Sequence, residues 1–451
     1  MHMKWGRIAA VLVAMTLTAA ACGDDSGGSS SDTGGGSGTT GGSSAANLKP
    51  NTGEVNLLSA AEPEEAAAYQ KIFDDKINSG ADYKATVEAS ADFEEQFQIR
   101  ADGGTLDVAA VPQPGAIPGL VDKGNLVALE DLGFNIDDLN KQFGEAFVGL
   151  GEYNGKHYGL PTNINLKSMV WYPKKAFDAA GYTVPKTWDD LMALSDKIVA
   201  DGSTPWCVGF ESGGATGWPA TDWMEDIMLR TAGTDTYDKW YKHEIPFNDP
   251  AVQHAGEVFG DVMFHDGYVL GGAASTPDIA FGDAPLPMFD NPPKCWLHRQ
   301  ASFINAFFPD GTEPGVDYDW FPLPPIDKNG TLFGGELTVV GTNGARPEVV
   351  DFLKQFSGAD VQCAMGGVTA SSRISPNVDV GKDCYVNPIL ADASVVLVAS
   401  LKDGTGRFDA SDLMPAAVGS GSFWTGMVDY MKGGPDSLKG VLDDIEKSWP
   451  T

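Results

Sequence analysis

The chain has 451 residues, 42% hydrophobic and 20% charged. At ~100–200 residues per domain, that is enough for two to four domains and a large buried core. Its 62 Asp and Glu against 30 Lys and Arg give a net charge of −32. So acidic a surface repels nucleic acid and anionic lipid and excludes both as ligands of the bulk surface. The body beyond residue 46 shows no repeat of the kind that marks a solenoid or adhesive array.

Lys4 and Arg7 precede an apolar run from Ile8 to Ala21. That run is shorter than the ~20 residues a permanent span needs, but it suits an export signal over 1–21. It ends in Ala19-Ala20-Ala21-Cys22, which resembles a bacterial lipobox. The resemblance implies acylation of the Cys22 thiol and a protein held outside the cytoplasmic membrane by that anchor alone. A plain secretory signal cut after Ala21 is the alternative. Residues 23–46 are only Gly, Ser, Thr, Asp and Ala, too polar and small to offset chain entropy. Residues 22–52 therefore read as anchor and tether.

The remaining cysteines are Cys207, Cys295, Cys363 and Cys384. An even count outside the cytosol points to two disulfides, with three pairings open. Cys363 with Cys384 closes the shortest loop. No Cys-x-x-Cys spacing supports a metal site, and His243, His254 and His265 lack partners at ligand spacing, so neither metal nor cofactor is expected.

In chain order, Val55–Ala60 is an apolar run followed by a helix start at Pro63. Apolar residues Tyr69, Ile72, Phe73 and Ile77 then recur at helical spacing. Ala85–Ala89 alternates as a strand, Asp92 stands where a helix cap would, and Leu106–Val111 is a third strand closed by Pro112-Gln113-Pro114. Strand and helix in alternation with short links predict an α/β parallel sheet, and ligands of such sheets bind beyond the carboxyl ends of the strands. Those ends are Ala60–Glu64, Ser90–Asp92 and Pro112–Gln113.

Three segments then follow within about 40 residues. Gly155-Lys156-His157-Tyr158-Gly159-Leu160-Pro161 comes first. Tyr172-Pro173-Lys174 is second, and Pro185-Lys186-Thr187-Trp188-Asp189-Asp190-Leu191 is third. Together they resemble the extracellular solute-binding proteins of ABC sugar importers. The last has a physical reading of its own: Thr187 caps the helix at Trp188–Val199, with Asp190 completing a capping box. Pro205-Trp206-Cys207, Gly217-Trp218-Pro219 and Pro292-Pro293-Lys294-Cys295 resemble the α-glucoside branch of that family. Phe333-Gly334-Gly335-Glu336 and Ser371-Ser372-Arg373 resemble its later crossings between lobes. The resemblance covers roughly residues 53–451. The first strand end, Ser59-Ala60-Ala61-Glu62, is smaller and less polar than the family pattern.

The resemblance implies a two-lobe fold like that of the periplasmic binding proteins, each lobe a sheet flanked by helices, with the ligand cleft between lobes. It places lobe one at 53–161 plus 334–370 and lobe two at 162–333 plus 371–451, and it implies the pairing Cys207–Cys295. It also implies a sugar ligand, ABC permease partners and a monomer. Sugar hydroxyls call for carboxylates, amides and Arg, and sugar C–H faces call for aromatic rings. The candidates are Glu62, Asp92, Gln113, Asn163, Asn165, Glu211, Trp218, Asp222, Trp223, Trp296, Gly335, Glu336 and Arg373. Trp171, Trp188 and Trp206 lie within regular elements and are expected in the core. A carboxylate pair in a sugar cleft is also what a glycoside hydrolase needs. No motif here resembles one, and no Gly-x-Ser-x-Gly or His-Glu-x-x-His is present.

Overall fold

The parallel strands predicted at the start of the body are present and in register. β1 (Glu54–Ser59) pairs in parallel with β2 (Lys84–Ala89) and with β3 (Val108–Val111). Two helices cross between them, α1 (Pro63–Ile72) and α2 (Phe93–Asp102). The structure is a computed structural model that describes residues 48–450, apart from Glu62, Ala91, Thr369 and Ala370. The leader, Cys22 and Glu62 lie outside the described residues.

Successive residues of these strands face opposite sides of the sheet, and both sides are covered. Leu57 and Val108 pack with Tyr69, Phe73, Phe352 and Phe356 on one side. Leu58 and Ala109 pack with Phe93, Phe97 and Ile117 on the other. This double cover explains why β3 reads as four apolar residues in a row rather than as an alternating strand.

The chain then turns through a short hairpin at Asn154-Gly155, both with positive φ. It next enters β4 (Gly159–Leu166), which leads through Lys167 into β5 (Met169–Tyr172). The second sheet has the order β8-β5-β7-β6. It is made from β5, β6 (Thr204–Trp206), β7 (Cys295–Arg299) and β8 (Asp319–Pro322). Helix α3 (Trp188–Ala200) carries the predicted Thr187–Asp190 capping box. Around this sheet, Trp206, Trp223, Trp240, Phe259 and Tyr430 form the largest core. Trp171 and Trp206 are fully buried and Trp188 packs at the edge of that core.

β9 (Thr331–Val340) returns to the first sheet. Its early residues pair with β10 (Gly406–Phe408), its middle with β4, and its end with β3. The register of β4 against β9 breaks at Glu336 and Leu337, leaving Thr162 as the extra residue of a bulge. A bulge is one of the few sheet positions that accepts proline, which accounts for Pro161. A third segment joins β4 on its free side, where Ile164 and Ile374 exchange backbone hydrogen bonds at 2.9 and 3.2 Å.

Both disulfides form, Cys207–Cys295 and Cys363–Cys384, 88 and 21 residues apart. The first ties β7 to the segment after β6 inside a buried cluster that includes Trp171 and Leu166. Chain-entropy arithmetic gives about 4.5 kcal/mol for closing the longer loop and about 3 kcal/mol for the shorter. Paired Cys→Ala variants in urea unfolding should rank in that order, and the reverse order would show that native packing dominates the effect.

Candidate functional site

The carboxyl ends of β1, β2 and β3 open onto a cavity of about 420 Å³. Ala60, Ser90, Asp92, Pro112 and Gln113 form its first wall, where a parallel sheet presents its ligands. The opposite wall belongs to the second sheet and its helices. It carries Trp218 and Asp222 of α4 (Trp218–Thr231), Phe281, Phe303, Phe307, and Trp424 of α6, which follows the long helix α5 (Pro388–Asp403) and spans Trp424–Gly433. The floor is made by the three crossing segments, through Asn163, Asn165, Lys167, Gly335, Glu336, Ser372 and Arg373. A second hollow of about 510 Å³, lined by Pro185, Pro322–Pro325 and Val396, does not touch the carboxyl ends of β1, β2 or β3.

Local geometry explains each contribution. Strand periodicity puts residues 163, 165 and 167 on one side of β4, and all three line the cavity. Gly335 is required because a Cβ there would stand 2.3 Å from the Asn163 carbonyl oxygen. Gly217 caps α4 at φ 111°, and a Cβ on it would meet the Trp424 carbonyl at 2.3 Å. That close approach sets the Trp218 and Trp424 segments side by side. The Trp218 ring meets Phe281 at 5.2 Å and Phe303 at 5.9 Å, so the far wall is an aromatic shelf.

Two ion networks hold the floor. In the first, the Lys167 ammonium donates to Asp222 Oδ1 at 3.0 Å and Asp409 Oδ2 at 2.5 Å, with Asp412 at 3.8 Å. Arg299 stands 3.6 Å from Asp222 and 3.0 Å from Asp226, and Asp226 also pairs with Arg230. Burial alone would strip Lys167 of its proton, but Asp222 and Asp409 hold its pKa well above the usual lysine value. Asp409 also accepts from Ser411 Oγ and the Asp412 N–H, both at 2.8 Å, which keeps it ionised. Burial pushes the Asp222 carboxyl up to about 7, with Lys167 pulling against it and Asp409 adding to the rise. Asp222 is therefore the member of the pair that takes up a proton first. Among the described residues, the carboxylates of Asp222, Glu225 and Asp409 converge closely enough for a metal ion. Two of them, Asp222 and Asp409, accept from the Lys167 ammonium, while Glu225 accepts from the Ala410 and Ser411 N–H groups at 2.9 and 3.0 Å.

In the second network, Arg373 pairs with Glu336 and lies over the Tyr69 ring, 5.3 Å from its centroid. Glu65 accepts from Tyr69 and from Ser372 Oγ at 2.6 Å, so α1 is bound to the third crossing segment. Burial pushes the Glu336 carboxyl up even with Arg373 beside it. Asn163 and Asn165 each keep a buried side-chain oxygen with no protein partner, and the Trp424 indole N–H is likewise unpaired. Such atoms are costly to bury unpaired, which marks the cavity as a place where a polar ligand bonds.

Residues 60–362 match the family of bacterial extracellular solute-binding proteins. The chain belongs to this family. It is 44% identical over 374 residues to the alpha-glucosides-binding periplasmic protein AglE of Rhizobium meliloti (strain 1021), covering 80% of this chain and 79% of that one. It is 39% identical over 367 residues to the osmoprotective compounds-binding protein GgtB of Synechocystis, covering 79% and 83%. The fold matches the solved bacterial solute receptor AcbH with a TM-score of 0.73 at 18% identity, covering 88% of this chain and 98% of that one. The protein is thus a solute-binding receptor and not an enzyme.

Of the residues singled out from sequence, the receptor brings Asp92, Gln113, Asn163, Asn165, Trp218, Asp222, Gly335, Glu336 and Arg373 to one cavity. Three others are placed elsewhere. Trp223 is 1% exposed and packs on Trp206 and Phe259. Its segment is helix rather than broken loop, so Trp218 and Asp222 share the cavity face one turn apart while Trp223 turns to the core. Trp296 lies inside β7, packs on Tyr182 and donates its indole N–H to Ser203 at 2.8 Å. Glu211 is outside the lining, bridges in backbone to Ala280, and accepts from the Gly213 N–H at 2.7 Å. Glu65, Glu94, Lys167, Asp409, Asp412 and Trp424 line the cavity without having been singled out. Lys167 carried one readable signal, a lysine at the i+2 and i+4 register from two cavity-facing asparagines.

Proposed function

We propose that this receptor captures a neutral α-glucoside disaccharide, such as trehalose, maltose or sucrose, and delivers it to the permease of an ABC importer. The observation that carries the reading is the cavity itself. Carboxylates and amides from strand ends and crossings face an aromatic shelf, which suits the hydroxyl edges and C–H faces of a sugar. The similarity to AglE over four-fifths of the chain supports the α-glucoside class. Lobe one comprises 53–161 plus 334–370 and lobe two 162–333 plus 371–451. The crossings at 161–165, 334–336 and 371–375 act as the hinge. A ligand touching both lobes favours the closed form, and closure presents both lobe surfaces to the permease. The protein works as a monomer, exported by residues 1–21 and held at the extracytoplasmic face of the membrane by an acyl chain on Cys22.

Thermal unfolding against a panel of sugars tests this. A ligand at 100 times its Kd adds about 2.7 kcal/mol of stability, a clear rise in Tm. A rise with one or two α-glucosides, with the sugar recovered intact, is the expected result. No shift with any α-glucoside would remove that ligand class and leave the receptor without an assigned sugar.

A further inference from the structure

Both cations that line the cavity have carboxylate partners, and the Arg373 Nε–H is left unbonded. Lys167 is shared among Asp222, Asp409 and Asp412, and Arg373 is paired with Glu336. The first wall carries two more carboxylates, Asp92 and Glu94, at the start of α2. Asp92 occupies the cap position of α2 yet its side chain accepts no helix N–H. Burial raises the Glu94 carboxyl; Gln113 and its own backbone N–H oppose the rise, Asp92 adds to it, and no cation acts on it. A helix N-terminus ordinarily attracts anions. Here Asp92, Glu94 and Glu95 already fill that position with negative charge. The cavity also holds ligand-seeking groups independent of this pair: Asn163, 7% exposed with an unpartnered oxygen, and Trp424, 4% exposed with an unpartnered N–H.

We propose that Asp92 and Glu94 act as a charge filter, admitting neutral or amine-bearing glycosides and rejecting those that carry a phosphate or carboxylate. The inference rests on the glycoside reading above and adds a ligand charge to it. A phosphorylated sugar entering the cavity meets two uncompensated carboxylates on one wall. Among the described residues of the floor and far wall, each cation it meets already has a carboxylate partner, although the Arg373 Nε–H is unbonded. Freeing Lys167 or Arg373 for it would strand a buried carboxylate, so the repulsion has no cheap relief. A protonated amine meets the same two carboxylates with the opposite sign.

Calorimetric titration of the full chain with matched sets provides the test: trehalose, maltose and sucrose, their monophosphates, and their amino-deoxy derivatives. For whichever parent sugar binds, its monophosphate should bind at least a hundredfold more weakly. Its amine should bind at least as tightly, with an advantage that fades as salt rises. In an Asp92→Asn, Glu94→Gln double variant the ratio of parent to phosphate affinity should fall tenfold or more, whatever happens to the parent affinity itself. Both positions lie on the cavity wall rather than in the core, and circular dichroism checks that the variant is folded. A monophosphate binding within threefold of its parent overturns the filter while leaving the glycoside reading intact. A ratio unchanged in the double variant overturns the assignment to Asp92 and Glu94. Binding by no member of any set overturns the glycoside reading, and the filter falls with it.

Discussion

Replacing Lys167 by methionine should destabilise the protein by about 3–5 kcal/mol, because removing one partner of a buried ion network leaves the others uncompensated. Lys167 is 7% exposed, and Asp222 and Asp409 accept directly from it. Urea unfolding at pH 7.5 measures the loss. A loss under about 1 kcal/mol would mean that the carboxylates find other donors. The pH dependence supplies a second readout. Asp222 is raised to about 7 in the folded protein, so between about pH 4 and pH 7 the folded state holds more protons than the unfolded chain. Stability through this group therefore rises as pH falls from 8 towards 5. Asp409 is shifted the other way, its carboxyl held well down by Lys167 and its hydrogen bonds against the effect of burial. Its contribution is present above the ordinary Asp value and is lost only at still lower pH. The wild type should accordingly gain more than about 1 kcal/mol between pH 8 and pH 5 and then weaken in stronger acid. In the Lys167→Met variant the gain on acidification should be larger, since Asp409, no longer held down by the ammonium, must then also take up a proton.

Arg373→Ala should produce the second large effect, about 3 kcal/mol of stability and at least a tenfold loss of sugar affinity. The guanidinium neutralises Glu336 and covers Tyr69, so its removal strands a buried carboxylate and bares a ring beside the crossing segments. Arg373→Lys restores a charge but not the planar stack, and should recover stability better than affinity. If Arg373→Ala lowered stability and left affinity untouched, the residue would be a structural tie alone.

The first wall of the site was readable because it depends on pattern. Alternation and turn residues locate the strand ends at Ala60, Ser90 and Gln113, and the sheet type dictates which end binds. The crossing segments were reachable through the resemblance of Gly334-Gly335-Glu336 and Ser371-Ser372-Arg373 to the family. The far wall was not readable in the same way. Its shape depends on which face of α4 turns outward, and Gly217 and Pro219 look like loop residues although they cap and start a helix. That ambiguity put Trp223 in the cavity and hid Trp424, which arrives from a helix 200 residues later. Glu65, Asp409 and Asp412 were missed for the same reason. Each is a carboxylate in a chain with 62 Asp and Glu, and only tertiary placement distinguishes it.

The bulge at Thr162 has a further consequence. Thr162 bonds Thr338 Oγ1 at 2.8 Å, and the residue across the break in register is Glu336, the partner of Arg373. The strand pair bends where its ladder is interrupted, and that place is also the floor of the cavity. If the proposed hinge flexes here, flexure and recognition share the same few atoms. A lineage drifting toward a different solute by substitution at Asn163, Gly335 or Glu336 would alter how fast the lobes open as well as what they hold. With the proposed hinge at these crossings, residence time and selectivity would be inherited together, while residues of the outer walls would adjust preference alone.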